Sequence, residues 1–159
     1  MADLLSITAG VVGLLSAAGQ VGSVLLKIKS SMHNAPNSIQ HILSQVRELE
    51  ICFAAVHQFI IGATPASPGR LSMIGVDQLV ATLTESVLTF SELEDIITPF
   101  AIGSETSIRM RVKWMWKEDD ASRIMRQLDR HKVSLSLMLN IVQWYISQLK
   151  FLYRDLFAP

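Results

Sequence analysis

Apolar residues recur along this chain at intervals of three and four, and no segment alternates convincingly with period two, so the pattern predicts helices throughout. A first helix spans about Leu4 to Ser31. HNAPN breaks it, with Asn34 available as a cap and Pro36 suited to the first turn of a second helix. That helix carries Ile39, Leu43, Val46, Leu49, Phe53, Val56 and Ile60 on one stripe and stops at Gly62. The following GATPASPGR reads as a loop, because its prolines and glycines cannot extend a helix. A third helix starts near Gly75, follows Val76, Leu79, Val80, Leu83, Val87, Phe90, Leu93 and Ile97, and is ended by Pro99; Gly103 to Ser107 make a loop. A short basic helix, SIRMRVKWMWK, comes next. EDD then reads as a cap and acidic first turn, since anionic groups favour the positive end of a helix dipole. The last helix carries Ile124, Leu128, Leu135, Leu139, Val142, Ile146, Leu149, Tyr153 and Leu156 with no Gly or Pro before Pro159. Roughly 38 residues would span ~57 Å, so it must kink or protrude. The fold class expected is all-α: an up-and-down bundle of four main helices plus a short connector, in one domain.

The first helix is the informative one. From Leu4 to Leu26, 23 residues, it has no charge, yet Gly10, Gly13, Gly19 and Gly22 interrupt it. A secretory signal would be basic before the apolar run, whereas here the only preceding charge is Asp3 and the lysines, Lys27 and Lys29, follow it. About 20 apolar residues cross a bilayer core, so the length suits a span. Small residues also fall four apart, at Ala9, Gly13 and Ala17 and again at Ala18 and Gly22, a ladder that lets helices approach closely in lipid. Three amphipathic helices needing a partner favour instead a hydrophobic helix at their centre. Each interior glycine costs roughly 1 kcal/mol of helix propensity relative to alanine. The segment is therefore read as a helix apolar all round, buried in the resting fold and able to leave it.

Composition narrows the rest. Half of the 159 residues are hydrophobic and 18% are charged, which excludes general disorder. The net charge of zero conceals an asymmetry: residues 33–107 set two basic groups against eight acids, a balance of −6, while residues 109–132 set eight against four, a balance of +4. Such a basic segment is either a solvated face with internal ion pairs or a surface for anionic lipid or an acidic partner. Trp114 and Trp116 lie among Arg109, Arg111, Lys113 and Lys117. One tryptophan is expected to pack between helices while the other shields the basic connector; an interfacial membrane anchor and a nucleic-acid contact are the alternatives. Cys52, the single cysteine, sits in ICFAAV and reads as a small core residue. His131, beside Asp129, Arg130 and Lys132, reads as a solvated helix-face histidine. His33, His41 and His57 are scattered, with no metal-ligand spacing, and GVVGLLSAAGQVG lacks both a G-x-G-x-x-G and a G-K-[ST]. Neither an enzyme nor a cofactor is expected.

The start MADLLSITAGVVGLLSAAGQV, together with KWMWKEDDASRIMRQLDRHKVSLSLMLNIV, resembles the fungal N-terminal domain found on STAND (NOD-like) receptors, ankyrin-repeat proteins and some pigment-cluster proteins, a relative of the HeLo and HeLo-like group. The shared pattern is a glycine-punctuated hydrophobic N-terminus, a connector with Trp114 and Lys117, and a helix with Leu128, Lys132, Leu135 and Leu139 at Leu-x-x-x-Lys-x-x-Leu-x-x-x-Leu spacing. The resemblance implies a helical effector or signalling domain of an innate-immunity or incompatibility receptor. It would be cytoplasmic at rest and would move to the plasma membrane or another intracellular membrane on activation. Oligomerisation with copies of itself would release the first helix, which enters membranes and kills the cell. Leu4, Leu5, Ile7, Val11, Val12, Leu14, Leu15, Val21, Val24, Leu25 and Leu26 would then insert. Ala9, Gly13, Ala17, Ala18 and Gly22 would pack helix on helix, and Lys27, Lys29, Arg109, Arg111, Lys113 and Lys117 would meet anionic head groups. The chain contains no sensor, nucleotide-binding or repeat region, so it is expected to be a domain excised from a receptor whose C-terminal modules are its further partners. Asp3 is the only acid near the N-terminus, a departure for a pore mouth lined by acids. No nucleic-acid partner is expected. The alternative is a soluble adaptor bundle that docks proteins through its helix faces and never enters lipid.

Overall fold

Spacing of three and four residues, kept up without slippage, is what lets helices share a straight seam, and four segments of this chain keep it. The structure, a computed structural model, describes residues 4–62, 75–101 and 106–157. Among these it forms helices α1 (Leu4–Ser31), α2 (Asn37–Gly62), α3 (Val76–Ala101), α4 (Ser107–Met115) and α5 (Glu118–Phe157), and no strand. On α1 the buried line is Ile7, Val11, Leu14, Ala18, Val21, Leu25 and Ile28. On α2 it is Ile39, Ile42, Val46, Leu49, Phe53, Val56 and Ile60, and on α3 Leu79, Thr82, Ser86, Thr89, Leu93, Ile96 and Phe100. On α5 it is Ala121, Ile124, Leu128, His131 and Leu135, then Val142 after the half-buried Met138. This alternation is the seam of a left-handed helical bundle, in which helices cross at about 20°. The protein is an all-α bundle of four main helices and a short connector, with an apolar N-terminal helix.

The helices form a ring in the order α1, α2, α5, α3. Direction alternates along the chain, so α1 and α3 run parallel, as do α2 and α5. Phe53 of α2 and Phe90 of α3 meet across the interior with ring centroids 6.2 Å apart. Lys132 joins α5 to α2 through Glu48 (2.9 Å) and Gln45 (3.1 Å), and Arg123 joins α5 to α3 through Glu92 (2.7 Å).

The connector α4 closes one end of the ring. Its buried Trp114 donates its indole N–H to Ser38 Oγ at 3.0 Å and stands edge-on to Phe100, centroids 5.4 Å apart. Ser38 donates in turn to Glu118 Oε2 at 3.2 Å. The backbone N–H of His33, just after α1, donates to Ser107 Oγ at 2.7 Å. The end of α1, the start of α2, the end of α3 and the start of α5 thus meet at α4.

Several expectations are corrected. Asn34 does not cap α2: its φ of 56° places it in the left-handed region, where it turns the chain after α1, and the helix begins after Pro36. Pro99 does not end α3, which runs to Ala101, because Phe100 is buried against Trp114 and holds the last turn on the core. Val87 is half exposed, and Ser86 takes the seam position beside it. His131 is 3% exposed rather than solvated. Helix α1 occupies a corner of the ring, packed on α2 and α3, rather than the centre, and only one of its faces is buried. The loop GATPASPGR beyond Gly62, the stretch around Gly103, Asp3 and the side chains of Ile146, Leu149, Tyr153 and Leu156 lie outside the described residues.

Beyond Val142, Gln143, Trp144, Ser147, Gln148 and Phe151 are exposed, while α5 continues to Phe157.

Candidate membrane-facing surfaces

Two surfaces answer to the residues picked out in the sequence. The first is the outer side of α1. Surface helices usually carry charge on the side away from the core. From Leu5 to Leu26 the exposed positions are Leu5, Ser6, Ala9, Gly10, Val12, Gly13, Ser16, Gly19, Gln20, Ser23 and Leu26, with no charged group among them; the first exposed charge on α1 is Lys27. The stretch Leu5–Ser31 is long and apolar enough to cross a membrane, at mean hydropathy 1.7, and only 33% of its most apolar part is buried. A core helix of the same length and hydropathy is mostly buried, whereas two thirds of the most apolar part of α1 is not.

Of the expected insertion residues, Ile7, Val11, Leu14, Val21 and Leu25 are buried in the seam, and Leu15 and Val24 are half buried. Leu5, Val12 and Leu26 are exposed, and the Leu4 side chain lies outside the described residues. The small-residue ladder is not a packed seam in this state. Ala9 and Gly13 are exposed, Ala17 and Gly22 half buried, and only Ala18 is buried. A methyl group placed on Gly10, Gly13, Gly19 or Gly22 would have no neighbour within 4 Å. Shallow grooves run beside the ladder, one between Gly10, Gly13, Ala17 and the α3 residues Val87, Phe90 and Ser91.

The second surface is the α4 end. Lys27 and Lys29 lie in the last turns of α1, within ~9 Å of helix rise of the His33–Ser107 bond. The fold therefore brings them to the end that carries Arg109, Arg111, Lys113 and Lys117, although some 80 residues separate the groups. Lys27 and all four connector cations are exposed, and Lys29 is half exposed. Lys117 contacts Asp120 at 3.4 Å, and among the described residues Arg109 and Arg111 enter no ion pair. Trp114 is fully buried, as expected of one tryptophan, while Trp116 is 86% exposed rather than laid over the connector.

Sequence reasoning missed the rest of the α4 surface. Ile108, Val112 and Met115 are exposed beside Trp116, and the spacing 108, 112, 115, 116 was there to be read. The basic residues between them masked it as a solvated face.

Besides the Trp114–Ser38 bond at the α4 end, the interior holds a polar contact between α3 and α5: Thr89 Oγ1 and His131 Nε2 lie 2.8 Å apart. Burial pushes the His131 pKa below its ordinary value, opposed by nearby Glu85 and aided by Arg130. Cys52 is half buried, with Sγ 3.7 Å from Ser136 Oγ. No group of three or more His, Cys, Asp or Glu able to hold a metal ion gathers among the described residues. No family model, no curated protein and no solved structure matches this chain.

Proposed function

We propose that this chain is a non-catalytic, self-associating, membrane-targeting domain of the fungal receptor type that its sequence resembles, cytoplasmic at rest and acting by transfer of α1 from the bundle to a membrane on oligomerisation. The observation that carries this reading is the solvent-facing side of α1, which bears no charge from Leu5 to Leu26. In water such a face gains nothing over lysine or glutamate; in a bilayer each charge it lacks avoids about 2.5–3.5 kcal/mol at the helix centre. Glycine, alanine and serine on that face also give neighbouring copies close approach once α1 is in lipid.

The test puts charge where the bundle tolerates it. Gly13 and Ser16 are exposed, and a Cβ placed at Gly13 meets nothing within 4 Å. Gly13→Lys with Ser16→Lys should leave the thermal midpoint unchanged or raised, because lysine is the better helix former. Dye release from anionic vesicles should fall at least about tenfold, since two charges add ~5 kcal/mol to insertion. Equal release by both proteins would remove α1 insertion, and no release by either would leave the soluble adaptor.

A further inference from the structure

We propose that α4 is an interfacial anchor that docks the closed bundle, end-on, to an anionic bilayer while α1 is still packed. The inference rests on the membrane reading above, and adds to it a separate docking surface with a separate occupant of its binding energy.

The nine residues of α4 carry two apolar faces. Met110 and Trp114 point inward and are buried. Ile108, Val112, Met115 and Trp116 point outward, exposed by 79, 49, 65 and 86%. At 100° per residue these four fall within an arc of about 100°. Trp116, the C-cap, keeps helical backbone angles (φ −73°, ψ −15°) and so extends the ridge. Arg111 flanks the ridge on one side, Arg109 and Lys113 on the other. A solvated connector has no use for four large apolar side chains in a row beyond the two that fix it to the core.

An apolar ridge with tryptophan at one end and cations along both flanks is the pattern of a helix lying in the plane of a membrane interface. The apolar side chains enter the acyl boundary while the arginines and lysines reach anionic head groups, each cation near the surface adding to the attraction. Lys27 and Lys29 stand at the same end and widen the basic rim. Charge complementarity therefore selects an anionic lipid surface as the occupant. The neighbouring acids are largely engaged elsewhere: Glu118 accepts from Ser38, and Asp120 pairs with Lys117 and Arg123, while Asp119 is exposed at the start of α5.

Flotation of the full chain with vesicles of phosphatidylcholine alone, or with added phosphatidylserine, tests this. Wild type should float with the anionic vesicles and not with the neutral ones. Ile108→Glu with Trp116→Glu should lower binding at least tenfold, and Arg109→Gln with Arg111→Gln should lower it and flatten its salt dependence. All four side chains are exposed, so melting curves should match wild type. Undiminished flotation of the ridge variant overturns the proposal, as does equal binding to neutral vesicles or binding to neither. The α1 variant Gly13→Lys/Ser16→Lys should float like wild type while failing to release dye. If wild type floats through its ridge but releases no dye, the α1 reading falls and the anchor stands.

Discussion

His131 shows how one side chain takes its character from a register rather than from its neighbours in sequence. Asp129, Arg130 and Lys132 surround it in the chain, yet it falls between Leu128 and Leu135 on the seam and is buried. The Thr89 hydroxyl lies 3.0 Å from the Glu85 carbonyl, which can only accept, and with its hydrogen given there Thr89 Oγ1 accepts from His131 Nε2–H at 2.8 Å. The folded protein thus holds a neutral imidazole whose pKa is lowered, chiefly by burial. The unfolded chain binds the proton first as pH falls, so this contribution to stability is complete above about pH 6.5 and is lost on acidification below it. The thermal midpoint should drop between about pH 7 and 5.5, and His131→Gln should flatten that slope. Thr89→Val strands the imidazole donor and should cost about 1–3 kcal/mol in denaturant melts at neutral pH.

At the scale of elements, the existence and order of all five helices were legible from the apolar residues, the proline and glycine breaks and the acidic EDD, whereas the end of α3 was not, since Pro99 lies inside its last turn. What periodicity did not separate was Val87 from Ser86, since both lie near the α3 stripe and a hydroxyl counts as polar. Thr82, Ser86 and Thr89 can be buried because each donates to the carbonyl four residues back, so no donor is left unmet. The ring order was equally illegible, for every stripe could face any other. Helix α1 carries the clearest consequence of local composition. Its glycines weaken it without any packing gain visible in this state, since nothing lies within 4 Å of the missing methyl groups. Gly10→Ala, Gly13→Ala and Gly19→Ala should each raise stability by about 0.5–1 kcal/mol in denaturant melts. If α1 must leave the bundle to act, the triple variant should also release vesicle contents more slowly. Stabilisation without loss of release would mean that α1 does not move.

For the whole molecule, the arrangement sets where such a motion can pivot. The buried seam of α1 holds Ile7, Val11, Leu14, Ala18, Val21, Leu25 and Ile28, and burying a large apolar side chain is worth about 1.5–3 kcal/mol. Under the proposed function, spontaneous release in water would therefore be rare, and a membrane or neighbouring copies would supply the difference between the two states. The α4 end carries the turn at Met32–Ala35 and the lysines that follow the uncharged stretch, so a bundle docked there presents the pivot of α1 to the head groups. The N-terminal end lies ~40 Å of helix away. Amide exchange separates this from a rigid bundle. In buffer, α1 should exchange through an opening that costs less than global unfolding, because it is the glycine-weakened helix and packs on two neighbours only at one face. Anionic vesicles should speed exchange along α2 and α3, which lose their cover, and slow it in α1, whose amides enter lipid. The alanine triple should oppose both changes. Should α1 exchange only with the whole bundle, with vesicles or without, the helix is a structural member and the outer face of α1 has some other use.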